Sequence, residues 1–401
     1  MPSQATVKPV TAPSTMPAPA TADDDQRFDL AGLEATLSLH RALGVDTKHN
    51  LFWSPFSVRA AMAMSLVGAR GATAQQLAGA LALPVSADAT AQHFARLLVA
   101  LESDDGAHRL HLANRLFVQS GFALAADFER RLDSSFGAAP RRLDFATDPE
   151  RARRHINDWA DAETRGHIKG LIGSGAISRG TRLVVANAVW FKGTWHSGFD
   201  LRRTRDGPFH LLDGTDVAVP MMRQRGDFLY ASATNVALLK LPYRGGEASM
   251  IVLLPTANDG LTELEASLDA AQLTEWISRM APADVYVELP RFALASSAEV
   301  QPALQTLGVR DALDCGPPVG ADLSGMTGRK ELCIGGIFHK AFVEVNEEGT
   351  EAATATAVAI AAPPGAPQPP LSFAIDHPFV FLIRHERTGE ILFLGRVTDP
   401  R

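Results

Sequence analysis

Apolar residues recur at helical spacing through the first half of this chain and in strand-like runs through the second, with no regular alternation between the two. "FDLAGLEATLSLHRALG", from Phe28, has helical periodicity and ends at Gly44, a residue suited to a helix C-cap. "SPFSVRAAMAMSLVGARGATAQQLAGAL" predicts two more helices, divided between Gly68 and Gly71. "RARRHINDWADAETRGHIKGLI" sets Ile156, Trp159 and Ala160 on one helical face. Later stretches such as "TRLVVANAVWFKGTW", "VALLKLPY", "ASMIVLLP", "DVYVELPRFAL" and "HKAFVEVNE" are β-branched or alternating. "FVFLIRHERTGEILFLGRV" predicts a hairpin turning at Thr388-Gly389. No βαβ rhythm and no repeat of roughly 20–50 residues is visible. Helices first and strands later restrict the chain to an α+β fold with antiparallel sheets.

Charge and composition remove several function classes. A net charge of −7 over 401 residues gives no footprint for nucleic acid or for an anionic membrane surface. Apolar runs such as "SMIVLLP" and "PFVFLI" are too short to cross a bilayer. Cys315 and Cys333 are too few for a disulfide framework and fit no zinc spacing, so they read as buried or free thiols. Residues 1–25, "MPSQATVKPVTAPSTMPAPATADDD", are a Pro, Ala and Thr mixture expected to be disordered, and they lack the pattern of a secretory signal.

No enzymatic constellation is present. There is no GxSxG elbow, and "GLIGSGA" around Ser174 has the wrong spacing and reads as a helix end. HExxH, Walker and GxGxxG motifs are absent. His108 and His111 could share a face, but no third ligand accompanies them, and they read as surface histidines. No catalytic residue, metal or cofactor is therefore expected.

Two features stay unexplained by these rules. Ser54 and Ser57 in "NLFWSPFSV", Asn187 in "VVANAVWF" and His339 in "IFHKAFVEV" are polar residues in apolar surroundings. They could be separate caps and satisfied core polars, or one hydrogen-bonded cluster between elements. "EEGTEAATATAVAIAAPPGAPQPP", from Glu347 to Pro370, lacks the bulk of a core strand and the Gly, Ser or charge of a usual linker.

Several blocks, taken together and in order, resemble one family. They are "NLFWSPFSVRAAMAMSLVGARGATAQQL", "HINDWADAETRGHIKGLI", "ANAVWFKGTWHSGFD", "VPMM", "LPYRG", "LPRF", "ADLSGM", "HKAFVEVNEEGTEAATATAV" and "DHPFVFLIRHERTGEILFLGRV". This set resembles the serpins, the serine-protease-inhibitor superfamily, and spans almost all of Phe28 to Pro400. The resemblance implies one domain over 26–401, with three β-sheets, eight or nine helices and an exposed reactive-centre loop at about 347–370. It implies a suicide substrate, in which a protease cuts the loop and the loop inserts into the main sheet with the acylated protease attached. Loop insertion of this kind is an established case of strand addition and of stored-strain switching.

On this resemblance the hinge comprises Glu347, Glu348, Gly349, Thr350, Glu351, Ala352, Ala353, Thr354, Ala355 and Thr356. Small side chains there ease entry between strands, while Thr and Val favour the strand once it forms. Period-two alternation would point Thr350, Ala352, Thr354, Thr356 and Val358 one way and Glu351, Ala353, Ala355 and Ala357 the other. Ser54, Ser57, Asn187 and His339 match the shutter, where the sheet must part. Trp195 matches the breach, where the loop enters, and Arg291 is a salt-bridge candidate for Glu347. The scissile region is Ile360, Ala361, Ala362 and Pro363. Counting the family's usual distance from Gly349 lands on Pro363, and a loop one residue shorter cuts at Ala362–Pro363, where proline after the bond blocks most serine proteases.

The implied partner is a serine protease of elastase-like or subtilisin-like specificity, bound by a monomer. The alternatives are a cysteine protease trapped in the same way, or a non-inhibitory carrier. An extracellular or periplasmic location is expected, with the cytoplasm left open.

Overall fold

The computed structural model describes residues 22–101, 108–350 and 369–401. Helices dominate the N-terminal part: α1 (Ala22–Leu43), α2 (Pro55–Gly68), α3 (Gly71–Leu81), α4 (Ala87–Ala100), α5 (Ala126–Phe136) and α6 (Pro149–Glu163). Among them lie β1 (Leu51–Trp53), β2 (His108–Gln119) and β3 (Arg141–Leu143). Strands then take over with β4 (Leu183–Thr194), β5 (Arg205–His210), β6 (Asp216–Ser232), β7 (Val236–Pro242) and β8 (Ala248–Pro255). After α7 (Leu261–Ser267) and α8 (Ala270–Ser278) come β9 (Ala281–Pro290), β10 (Phe292–Ala298), α9 (Val300–Thr306) and α10 (Ser324–Thr327). The chain closes with β11 (Gly336–Val345), β12 (Gly349–Thr350), β13 (Leu371–Ala374) and the hairpin β14 (Phe379–His385)–β15 (Ile391–Val397).

Helix α1 starts earlier than its sequence suggested. Residues 22–25, expected within a disordered tail, are helical, and residues 1–21 lie outside the described residues. No proline or glycine interrupts the chain between Ala20 and Ala31, so nothing stops the helical hydrogen bonding from running back. Helix α6, by contrast, stops short. Arg165 (φ 53°) and Gly166 (φ 88°) take left-handed conformations just past it, so "GLIGSGA" falls in turns well after the helix.

Local chemistry fixes α2 and α6. Ser54 caps α2 by accepting from the Ser57 N–H, and Pro55 fills the first turn where no N–H is needed. Every residue of α2 is buried, as expected of a helix that is apolar on all sides. Its charged member, Arg59, pairs with Glu390 at 2.6 Å. Asp148 caps α6, which buries Ala152, Ile156, Trp159 and Ala160 along one stripe.

Two hydrogen-bonded sheets result. The larger runs β1-β15-β14-β8-β7-β6-β9-β13, with β5 also on β6. Strand β6 is 17 residues long and pairs first with β5 and β9, then with β7, so it joins two of the three expected sheets into one network. The other sheet runs β10-β11-β4-β2-β3, with β12 also on β4. The main core lies on one face of this second sheet and a smaller core, around Ile156 and Trp159 of α6, on the other. Strand β4 is thus covered on both faces, which explains why it is apolar from Leu183 to Phe191 apart from Asn187.

Within the second sheet, β4 and β11 are parallel neighbours, from Gly336↔Val184 to Phe342↔Trp190. The opposite edge of β4 is filled by β2 as far as Gly193. Strand β12 pairs antiparallel with β4 at Gly349↔Thr194 and Thr350↔Gly193. It therefore occupies the edge of β4 that β11 leaves open beyond Trp190.

Cys315 and Cys333 are corrected from thiols to a disulfide, with Cα atoms 5.3 Å apart. Proximity comes from the fold: the Ile334 N–H donates to the Ala312 carbonyl at 2.9 Å, folding the approach to β11 back onto a 3-10 turn at Asp311–Leu313. Bridging cysteines 18 residues apart removes denatured-state entropy worth about 3 kcal/mol. Reduction should lower the free energy of unfolding by that order, seen as a lower urea midpoint by fluorescence. Superimposable curves with and without reductant would show that the bridge does not constrain the unfolded chain.

Candidate functional site

The chain turns back at the top of β11. Asn346 organises the turn, its Oδ1 accepting from the N–H groups of Glu348 (3.1 Å) and Gly349 (3.2 Å). Gly349 has φ +138°, and a Cβ there would collide with the Gly193 carbonyl, so only glycine fits. Trp195, 1 % exposed, stacks on Tyr243 at 4.6 Å, and its indole N–H donates to the Asn346 carbonyl at 3.0 Å. Its backbone N–H donates to the Glu348 carbonyl (2.9 Å), and the Phe199 N–H to the Glu347 carbonyl (2.8 Å). The turn is thus bound directly to the segment leaving β4.

Glu347 is buried, accepts from the Thr204 hydroxyl at 2.7 Å and forms an ion pair with Arg291. Burial raises its carboxyl pKa, but the Thr204 and Arg291 hydrogen bonds more than offset this and hold it below the ordinary value. The carboxylate is charged and fixed at neutral pH.

Lower in the sheet, Asn114, Asn187 and His339 form a row across β2, β4 and β11, since Asn114↔Asn187 and His339↔Asn187 are register partners. The N-terminus of α2 lies against this row. The Ser54 N–H donates to His339 Nε2 at 3.2 Å, so the His339 proton sits on Nδ1 and is donated to Asn187 Oδ1. Asn187 Nδ2 donates to the Ser57 carbonyl (3.1 Å), the Ser57 hydroxyl and Asn114 Oδ1. The Ser54 hydroxyl donates to the Leu392 carbonyl at 2.6 Å. Ser54, Ser57, Asn187 and His339 therefore form one hydrogen-bonded cluster, in which Ser54 also caps α2. Burial alone depresses the His339 pKa to about 3.

The structure also brings Trp195, Glu347 and Arg291 together and places Gly349 and Thr350 in β12. Glu351, Ala352, Ala353, Thr354, Ala355, Thr356, Ile360, Ala361, Ala362 and Pro363 lie outside the described residues. Sequence reading missed Asn114, Asn346, Thr204 and Tyr243. A signal existed for Asn114, a polar residue within the apolar alternation of "LHLANRLFV". His111, expected at the surface, is half-buried and stacks on Trp190 at 4.2 Å. Among the described residues no group of His, Cys, Asp or Glu could hold a metal, and no helix is long and apolar enough to cross a membrane.

A family model described as Serpin (serine protease inhibitor) matches residues 33–400. The chain belongs to the serpin family. It is 38 % identical over 373 residues to Iris of Ixodes ricinus, covering 92 % of this chain and 97 % of that protein. It is also 38 % identical over 384 residues to leukocyte elastase inhibitor of Equus caballus, covering 94 % of this serpin and all of the horse protein. Among solved structures it is similar to Serpin48, a highly specific serpin of the insect Tenebrio molitor, with a TM-score of 0.84 and 31 % identity. That match covers 94 % of this chain and 99 % of Serpin48.

The buried polar cluster imposes a pH dependence on this serpin. His339 is neutral when folded, with a pKa of about 3 against 6.5 when unfolded. Above pH 6.5 it contributes no pH dependence; as pH falls below that value the unfolded chain gains a proton that the folded chain refuses. Stability should therefore fall, by about 2 kcal/mol at pH 5 from this residue, and level off near pH 3. His93, lowered to about 4 by desolvation and by Arg59 and Arg96, adds to the same window. Urea unfolding from pH 8 to 5 should lose about one proton's worth of slope in His339→Gln and nearly as much in His93→Gln. An unchanged slope in His339→Gln would mean that the imidazole is not the group refusing the proton.

Proposed function

We propose that this serpin is a monomeric suicide inhibitor of a serine protease with a small-residue specificity pocket. In this reading the cut loop inserts between β4 and β11. The observation that carries the reading is β12, already running antiparallel on the edge of β4 where an inserting strand would begin.

The register of β12 sets which loop residue would enter where. Continued down β4, it would set Ala352 opposite Phe191, Thr354 opposite Val189, Thr356 opposite Asn187, Val358 opposite Val185 and Ile360 opposite Leu183, where β4 begins. Directly opposed residues share a face, and Val185, Val189 and Phe191 belong to the main core. Thr356 would arrive between Asn187 and His339 with a hydroxyl able to replace the hydrogen bond lost when they separate. On the other face Glu351 would meet Lys192, and Ala353, Ala355 and Ala357 would pass beneath α6, where larger side chains would clash with a filled core.

Insertion to Ile360 would use the full length of β4, so the cut falls just beyond it. A serine nucleophile attacking the Ala361 carbonyl would expel the amine of Ala362 and leave an ester to Ala361, which insertion then traps. The next bond is barred because Pro363 follows it. An alanine at this position suits elastase-like or subtilisin-like pockets, and the name of the horse relative points the same way. The disulfide supports an extracellular or periplasmic setting.

Cleavage should map to Ala361–Ala362 by mass spectrometry of the released C-terminal fragment. Cutting at Gly365 or beyond would mean a longer insertable loop than the register allows.

A second test uses Thr354→Arg. Insertion along the β12 register would set residue 354 opposite Val189 on the main-core face, and an unpaired guanidinium there costs several kcal/mol. The variant should fold but be hydrolysed as a substrate instead of forming detergent-resistant complexes. Its melting temperature should rise far less after loop cleavage than the tens of degrees expected of wild type. Complexes at the wild-type ratio would show that insertion does not follow the β12 register. If cleavage leaves the wild-type melting temperature unchanged, the carrier reading replaces inhibition.

A further inference from the structure

The seam between β4 and β11 ends in an aromatic contact separate from the polar cluster at Asn187 and His339. Trp190↔Phe342 is the last parallel pair before the β4 edge passes to β12. The His167 ring stacks on Trp190 at 4.2 Å and 25°, and reaches Phe342 at 5.4 Å and 32°. It touches both sides of the seam at once. His111 of β2, the register partner of Trp190, stacks on the same indole at 4.2 Å and 3°.

His167 is held by a stiff support. Arg165 and Gly166, with positive φ, turn the chain after α6 back over the sheet. The buried Thr164 hydroxyl donates to the Ala160 carbonyl (2.6 Å) and accepts from the Ile168 N–H (3.1 Å), fixing the residues on either side. Beyond His167, Asn157 of α6 exchanges two hydrogen bonds with Ile172, and Lys340 of β11 donates to the Lys169 carbonyl at 2.9 Å. The imidazole is thus fastened to α6 and to β11 while lying on the tryptophan of β4.

We infer that His167 is a positioning residue that staples the seam and sets the rate at which β4 and β11 part. Separating the strands moves Phe342 away from Trp190, and a ring fixed to the α6 segment must release one of them. The inference deepens the proposed function and rests on it only for its consequence, since an opened seam is what insertion requires. With the staple in place the seam stays shut until the loop arrives. Without it, strand parting is faster, and trapping competes better with hydrolysis.

Hydrogen exchange by mass spectrometry on the full chain tests this without any protease. In His167→Ala the amides of residues 184–190 and 336–342 should exchange roughly three- to tenfold faster, the change that loss of one aromatic stack allows. The β14–β15 hairpin should keep the wild-type rate. His167→Phe, which restores a flat ring, should return the seam to wild-type exchange. Phe342→Leu, which removes the β11 arm of the contact, should reproduce the alanine phenotype. Unchanged seam exchange in His167→Ala would overturn the staple, and so would acceleration spread evenly over both sheets. Complexes formed with an elastase-like protease should then rise relative to cut product in His167→Ala. Faster seam exchange combined with a wild type that gains no heat resistance on cleavage would keep the staple and reject the inhibitor reading.

Discussion

The parallel pairing of β4 with β11 is the constraint on which the rest of this serpin depends. The other long neighbours in that sheet, β10 with β11 and β2 with β4, are antiparallel. A parallel pair is the one arrangement into which a single antiparallel strand can slip and satisfy both neighbours without either reversing. The chain leaving β11 is forced to run antiparallel to β11 and β4 alike once it turns. The Asn346 turn and the glycine at 349 bring it onto the open edge of β4, so topology and local chemistry agree on the same start point.

Polar groups along the seam follow from the same constraint. An apolar contact between Asn187 and His339 would be held by burial alone and would offer nothing to an arriving strand. Their hydrogen bond is directional and exchangeable, and each partner is oriented by the N-terminus of α2 through Ser54 and Ser57. Neutral His339 is essential to this. A second ring proton would point at the Ser54 N–H, leaving two donors facing each other in a site that water does not reach. In the proposed mechanism the cluster would close the seam in the resting molecule while leaving it openable.

Much of this was readable from the residues, for identifiable reasons. The β14–β15 hairpin and the all-buried α2 follow from period and turn chemistry, which act over a few residues. Ser54, Ser57, Asn187 and His339 were visible as polar breaks in apolar runs, but that they form one cluster depends on register across three strands and could not be derived locally. The disulfide was missed because the turn joining Ile334 to Ala312 has no signature in the spacing of its cysteines. The merging of two sheets through β6 was missed because strand length, not pattern, produces it. Asn346 and Thr204 were missed because their partners at 347–349 are defined by a backbone turn.

The two ends of β11 are pinned by different chemistry, and that difference decides how the seam can open. At its start, the disulfide and the Ile334–Ala312 hydrogen bond tie the strand covalently to the segment after α9. At its end, the Glu347–Arg291 pair links the turn to the residue between β9 and β10, and β10 is the strand on the far side of β11. Strand β11 is therefore braced against β10 over His339–Val345 and held at both of its ends. The contacts that must yield are those to β4: seven parallel register pairs, the Asn187–His339 hydrogen bond and the ring stack at Trp190. Under the proposed insertion, opening would thereby be confined to one line through the sheet, between β4 and β11.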